Sequence, residues 1–482
     1  SIWIAAEDMD PELMRMEPSL LNADSPFVAL HHEVVDWVEA RRQSTAFDDS
    51  HLQVMFDQCK ELIIGLQKRG AVVGSSLNTA YLLERLSQTL ERLETLMAIF
   101  VSNRYLPRRI LLLTGCFARA AAERHSISRL WKQSSGLMAR SVTQNAGDHG
   151  EHYITRDKKE YWAMFYSAAG GGVLIALMAL FKTYLGSIID DKVWKGIAEG
   201  LNYGLGFMVI FMLHFTVATK QPAMTAARFA EAVEKTPQGK TVNMKLAQLL
   251  VDVFRSQSIA VLGNVLIAMG LAALIAFGYQ YKTGEPLMNA DQIAYQLHSI
   301  DPFAGTLWFA AIAGVWLFCS GIISGYFDNR SNYLNMRMRL AQHPLLKKLM
   351  SEKTRVKFAN YMHENYGSLI GNLCFGMLLG ITGVVGYLTH LPLDIRHVAF
   401  SSANVGYIAV SGQFTYSLLL QCISFVLLIG LVNLIVSFSL TLWVALRSLN
   451  AEIDSWWPIW HEVCQIVKKR PLSLFLPIQL DK

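Results

Sequence analysis

Gln257-Ser-Ile-Ala-Val-Leu-Gly-Asn-Val-Leu-Ile-Ala-Met-Gly-Leu-Ala-Ala-Leu-Ile-Ala-Phe-Gly-Tyr-Gln-Tyr281 runs for 25 residues without a charged side chain. At 1.5 Å per residue, a helix of that length crosses the ~30 Å hydrocarbon layer of a bilayer. In lipid a lone span must satisfy its own backbone groups, which only a helix does. Further apolar stretches at 161–185, 196–218, 304–327, 367–389 and 415–446 have the same character. Together they predict an all-α, polytopic integral membrane protein with six transmembrane helices.

The loops orient these spans. Lys220, Arg228, Lys235, Lys240, Lys245 and Arg255 fall in the connection 219–256. Arg330, Arg337, Arg339, Lys347, Lys348, Lys353, Arg355 and Lys357 fall in the connection 328–366. The other connections hold only Lys192 with Lys195, Lys282, and Arg396. The positive-inside rule then places both long basic loops and both termini in the cytoplasm, and the spans form three hairpins. The transmembrane domain is 151–446. Beyond it, Trp456, Trp457 and Trp460 followed by Lys468, Lys469 and Arg470 make 447–482 an interfacial tail.

Residues 1–150 differ in kind, because charges recur every few positions there. Leu82, Leu86, Leu90, Leu93, Met97 and Phe100 follow steps of three and four, so a helical cytoplasmic domain is expected. Ser25, Ser50 and Ser75 are candidate helix caps. Residues 1–60 carry twelve acids against four bases, and 104–140 carry eight bases against Glu123, so the two segments can neutralise each other. For the whole chain, 52% hydrophobic and 17% charged residues with a mean hydropathy of +0.28 fit membrane burial. A net charge of +5 gives no argument for nucleic acid. The chain opens at Ser1 without an initiator methionine, as expected of a piece of a longer precursor.

Little of the usual chemistry is present. Six scattered cysteines form no CxxC and no Cys/His cluster, so neither a disulfide framework nor a metal site is expected, and no cofactor motif occurs. Polar groups inside spans are costly and therefore candidates; these are His214, Asn264 and Asn372, with Gln421 and Asn433. An interhelical hydrogen bond would account for each of them equally well. Glycines such as Gly376, Gly380, Gly383 and Gly386 read first as helix-packing positions. Asp328, Asn329 and Arg330 mark the inner end of the fourth span as a headgroup contact or a cap. The richest motif is the external loop after the fifth span, with Asp394, Arg396, His397, Ser401, Ser402 and Asn404. Gly171-Gly-Val-Leu-Ile-Ala176 also echoes Gly263-Asn-Val-Leu-Ile-Ala268, which suggests three copies of one hairpin.

Gly150-Glu-His-Tyr-Ile-Thr-Arg156, Ser167-Ala-Ala-Gly-Gly-Gly172, Lys220-Gln-Pro-Ala-Met-Thr-Ala226, Gly325-Tyr-Phe-Asp-Asn-Arg330 and Leu393-Asp-Ile-Arg-His-Val-Ala-Phe-Ser-Ser-Ala-Asn404 carry a family resemblance. Over roughly 75–446 the chain resembles the bacterial membrane-protein family described as site-specific recombinase, which includes gonococcal recombinase-like proteins. The resemblance implies a bacterial inner-membrane location and, taken by its description, DNA recombination. The residues do not supply that chemistry: His125 and His152 are each followed by Arg at the fourth position rather than the third, and no βαβ alternation occurs. The expectation is therefore a non-enzymatic inner-membrane protein that binds or moves a lipid or other amphiphile, or scaffolds an envelope complex with a protein partner. The alternative is a DNA recombinase or membrane DNA tether using Arg108, Arg109, Arg119, Arg124, Arg129 and Lys132. A membrane enzyme centred on His397 with Asp394 is a third class.

Overall fold

The structure is a computed structural model that describes residues 10–18, 25–43, 45, 48–74, 76–101, 106–123, 154–155, 157–218, 225–226, 229–230, 232–233, 240–411, 414–448, 453 and 455–477. These residues form helices α1 (Pro11–Met16), α2 (Pro26–Arg42), α3 (Asp49–Val73), α4 (Leu77–Val101), α5 (Leu106–Glu123), α6 (Lys158–Ile188), α7 (Lys192–Met212) and α8 (Lys240–Thr283). They continue with α9 (Ala290–Ile300), α10 (Thr306–Tyr333), α11 (Met336–Gln342), α12 (Pro344–Leu349), α13 (Glu352–Thr389), α14 (Val398–Ala409), α15 (Tyr416–Ser448) and α16 (Trp457–Lys469). No strand occurs among the described residues. The chain divides into two compact units, Ser1–Ser141 with Asn329–His363, and Val142–Asp328 with Glu364–Lys482.

In the first unit, Ser25 caps α2 ahead of Pro26, as its sequence predicts. Asp48 rather than Ser50 caps α3, and Ser76 Oγ accepts the Thr79 N–H at the start of α4; Ser75 lies outside the described residues. Phe27, Leu30, Val34 and Trp37 of α2 pack on Leu52, Phe56, Cys59 and Ile63 of α3 and on Leu86, Leu90 and Met97 of α4. The three- and four-residue spacing of each set puts it on one helix face. Short α1 ties the return segment to this bundle. Glu12 accepts from Ser76 Oγ (2.7 Å), Tyr333 Oη (2.9 Å) and the Thr79 hydroxyl, while Arg15 donates to Tyr333 O (2.7 Å) and Gly74 O (3.1 Å). Gly74 has φ +81°, and a Cβ there would stand 2.4 Å from Tyr333 N and 2.7 Å from Asn329 O.

The second unit holds the long apolar helices. Five helices are long and apolar enough to cross a membrane: α6, α8, α10, α13 and α15. Most of the stretch expected as a further span, 196–218, lies in α7, which carries Lys195, Glu199 and Asn202 in its first half and is not among these five. α7 runs antiparallel to α6, with Lys195 near Gly186, Glu199 on Lys182 and Asn202 Nδ2 donating to Met178 O (2.9 Å). α8 runs parallel to α6, since Gly263 meets Ala168 and Phe165 whereas Gly172 meets Asn264 and Ala268 farther along. α7 then crosses α13 at bare backbone: a Cβ on Gly376 would lie 2.0 Å from Gly204 N, and one on Gly380 would lie 2.4 Å from Gly200 Cα. Small residues four apart allow this approach where lipid removes the hydrophobic drive. α10 lies antiparallel to α13, with Gly367 and Gly371 on Ser324 and Ser320 and Trp316 Nε1 bonded to Thr382 Oγ1 (2.8 Å).

Two outcomes test the first unit. Gly74→Ala combines a left-handed φ with a backbone overlap, so thermal unfolding of the purified chain should report a loss of roughly 2–4 kcal/mol. Burial pushes the Glu12 carboxyl up, but hydrogen bonds from Thr79, Ser76 and Tyr333 with the Arg15 charge hold it below the ordinary glutamate value of 4.5. A lowered folded pKa adds stability above the unfolded value, and that increment disappears as pH falls through the folded value. Melts taken from pH 7 downward should therefore show wild type losing more stability than Glu12→Gln once pH drops below 4.5.

Candidate functional site

After α13 the chain turns at His390 (φ +56°) and runs back along the helix it has just left. Leu393 O lies against Gly386, Asp394 stands beside Gly383, and the His397 ring reaches Phe375 at 5.9 Å between centroids. α14 then climbs again. Phe400 packs on Tyr203 (4.5 Å) and Phe207 (5.9 Å), Gly406 sits on Met269 O, and Tyr407 Oη donates to Ala176 O (2.7 Å). Val410 and Ser411 end beside Ala276 and Gln280 of α8.

The expected external loop is thus a loop only as far as His397. Val398–Ala409 is a helix with Val398, Ala399, Phe400, Ser401, Ser402, Ala403, Val405, Gly406, Tyr407 and Ile408 all buried. Its twelve residues are too few to cross a bilayer, which is why a length criterion passes over them. Ser402 Oγ bonds Ala399 O (2.7 Å), Ser401 N bonds His397 O (3.0 Å), and Asn404 is half-buried.

One side chain holds the lower end of this segment. His397 gives α14 no side-chain cap; instead Asn433 Oδ1 of α15 accepts the Val398 N–H (3.2 Å). Asn433 Nδ2 donates to Ala310 O (2.7 Å) and Arg396 O (3.0 Å), and Arg396 N donates to Phe309 O (3.3 Å). The Arg396 guanidinium bonds Asp394 (2.6 Å), Ile395 O (2.7 Å) and Ser299 O (2.8 Å) and lies over the Phe309 ring. Asp394 also accepts the Ile395 N–H (2.8 Å), so its carboxylate orients the arginine. His397 sits among Phe207, Phe375 and Phe400, an apolar aromatic setting.

A second ion pair stands on the neighbouring helices. Lys182 Nζ of α6 is 3.4 Å from Glu199 of α7 and 5.6 Å from the Tyr203 ring centroid. Glu199 precedes Gly200, which meets Gly380, and Asp394 stands beside Gly383, so both ion pairs border one stretch of α13. Neither Lys182 nor Glu199 stands out in the sequence as a site residue. The available signal was a lysine and a glutamate in adjacent apolar stretches joined by a short turn.

The other expected residues are dispersed. His214 (φ +57°) is exposed at the turn ending α7 rather than inside a span, and its carbonyl accepts from Ser167 Oγ (3.1 Å). Asn264 is buried and bonds Ala168 O (2.5 Å), Thr216 O (2.9 Å) and the Ala218 N–H (2.9 Å). Asn372 donates to Ser368 O (2.7 Å) in its own helix. Asp328 is not at a helix end: it lies within α10 and accepts the Gly367 N–H of α13 (2.9 Å). Asn329 O packs at Gly74, and Arg330 is exposed in the last turn of α10. His125, His152, Arg124, Arg129 and Lys132 lie outside the described residues. Among the described residues no three His, Cys, Asp or Glu side chains could hold a metal ion.

A family model described as site-specific recombinase matches residues 1–477. Comparisons with curated proteins and with solved structures found no match.

Asn433→Ala removes one acceptor and two donors from buried backbone groups. Thermal unfolding should show a loss of about 2–4 kcal/mol. The same substitution should loosen the re-entrant segment. In a chain whose native cysteines are replaced, Ser402→Cys should resist maleimide while Asn433 is in place and should react once Asn433→Ala is added.

Proposed function

This chain belongs to the site-specific recombinase family, and we propose that it works as a non-catalytic membrane protein that binds or moves a lipid or other amphiphile. The observation that carries this reading is the re-entrant helix α14, buried among apolar helices with the Arg396–Asp394 and Lys182–Glu199 ion pairs beside it. Ionisable side chains at such depth are expensive and are kept for binding or passage. Among the described hydrogen bonds, no nucleophile paired with a base stands beside them. Lipid should co-purify with the full chain from its native membrane and be released by Asn433→Ala; a delipidated chain that takes up no lipid from vesicles would defeat the reading. An envelope protein recovered in stoichiometric amount instead would favour a scaffold.

In this reading the chain lies in the bacterial inner membrane and crosses it six times as three hairpins, α7 being the sixth crossing with Leu201, Leu205, Val209 and Met212 on its exposed face. The first unit's helices and both termini are cytoplasmic, and α16, with exposed Trp457 and Trp460 ahead of Lys468 and Lys469, rests on the headgroups. Glu285→Cys and Lys347→Cys test this: in intact spheroplasts a membrane-impermeant maleimide should label the first and spare the second.

The family's description suggests one other reading, a DNA recombinase or membrane DNA tether. Phosphate contacts from the basic 104–140 region would give affinity that falls steeply with salt. The two readings separate on one measurement, binding of duplex DNA by the purified full chain at increasing salt; no salt-sensitive affinity removes the DNA reading.

A further inference from the structure

We propose that the second unit is two inverted copies of one three-helix motif, and that it carries a zwitterionic amphiphile along their shared interface. The substrate part rests on the amphiphile reading above; the repeat rests on hydrogen bonds and packing alone.

The same contacts recur in both copies. Asn264 of α8 accepts the Ala218 N–H and donates to Thr216 O and Ala168 O. Asn433 of α15 accepts the Val398 N–H and donates to Arg396 O and Ala310 O. Thr216 N donates to Ser167 O (3.2 Å), and Arg396 N donates to Phe309 O (3.3 Å). Gly172 packs on Asn264 O and Ile267, and Gly314 packs on Asn433 O and Val436, in both cases the residue three after the asparagine. The sequence agrees once the contacts set the register. Ala168-Ala-Gly-Gly-Gly-Val173 matches Ala310-Ala-Ile-Ala-Gly-Val315, and Gly196, Gly200 and Gly206 match Gly376, Gly380 and Gly386 at the 180-position offset that relates Thr216 to Arg396.

Each copy is therefore a helix, an antiparallel helix, an extended strap and a third helix parallel to the first. The copies are α6, α7 and α8, and α10, α13 and α15. Because α7 and α13 cross antiparallel, with Gly204 on Gly376, Gly200 on Gly380 and Gly196 near Val384, the second copy runs opposite to the first. The contact of Gly200 with Gly380 maps onto itself and marks the pseudo-two-fold axis. Inverted repeats with unwound segments at mid-depth are the architecture by which transporters expose one site to either side in turn.

The charges break the symmetry. Lys182, Glu199, Asp394 and Arg396 correspond to Ser324, Leu379, His214 and Thr216, so neither ion pair is repeated in the other copy. In each pair one partner is open and one withheld: Lys182 and Asp394 are 38% and 37% exposed, Glu199 and Arg396 13% each. The open partners have opposite sign. A ligand carrying both an anion and an ammonium engages both without stranding a buried charge, whereas a singly charged headgroup leaves one unmatched. On another face of α6, exposed Leu177, Phe181 and Tyr184 offer an apolar surface to acyl chains. The chemistry is that of an ethanolamine phospholipid.

The test uses the full chain in vesicles with acyl-labelled ethanolamine or glycerol phospholipid, and reads leaflet exchange by dithionite quenching. Protein-dependent exchange should be at least about tenfold faster for the ethanolamine lipid, and Lys182→Met with Glu199→Gln should erase the preference. Equal exchange of both lipids overturns the zwitterion site. No exchange by a chain that still holds lipid overturns the proposal and leaves the binding reading standing; no exchange and no held lipid removes both. Should the double variant not fold, wild type decides: free glycerophosphoethanolamine should slow exchange more than glycerophosphoglycerol, and the reverse order counts against the proposal.

Discussion

Backbone that leaves a helix inside an apolar bundle has no water to bond, so its N–H and C=O groups must find partners in the protein. Two asparagines meet that requirement. Asn264 serves the strap after α7 and Asn433 the strap before α14, each by one accepted and two donated bonds. A side-chain amide offers an acceptor and two donors at a single uncharged tip. Without Asn433 the helix start at Val398 would be an uncapped end in the protein interior, and Arg396 O would lose its donor.

The second condition is backbone proximity. Glycine at 196, 200, 204, 376 and 380 lets α7 and α13 touch directly. The opposite side of α7 stays open and apolar, with Leu201, Leu205, Val209 and Met212 exposed. α7 tolerates Lys195, Glu199 and Asn202 because they turn to partners on α6.

The long helices were legible because their signal is local: some 20 apolar residues in a row match the thickness of a bilayer and exceed what a strand or loop needs. The α2 to α4 core was legible too, through the spacing of Leu86, Leu90 and Met97. α14 was not, since twelve small and apolar residues look alike in a loop, a strand or a buried helix, and only contacts with α8 and Asn433 decide. The Lys182–Glu199 pair was hidden for a related reason: its members are 17 positions apart and meet only when α6 and α7 fold back. The echo between Gly171-Gly-Val-Leu-Ile-Ala176 and Gly263-Asn-Val-Leu-Ile-Ala268 marks two helices that pack side by side.

The re-entrant segment also dictates an order of assembly. A helix satisfies its own backbone, but the strap 390–397 does not. Its polar backbone can settle among the helices only after α15, made later, delivers Asn433. Until then the space lined by Tyr203, Phe207 and Phe375 has no Phe400 to fill it. Biogenesis of this protein therefore ends with an inward docking step rather than with insertion of its last span, and truncation before residue 433 leaves an unfinished interior rather than a shorter bundle.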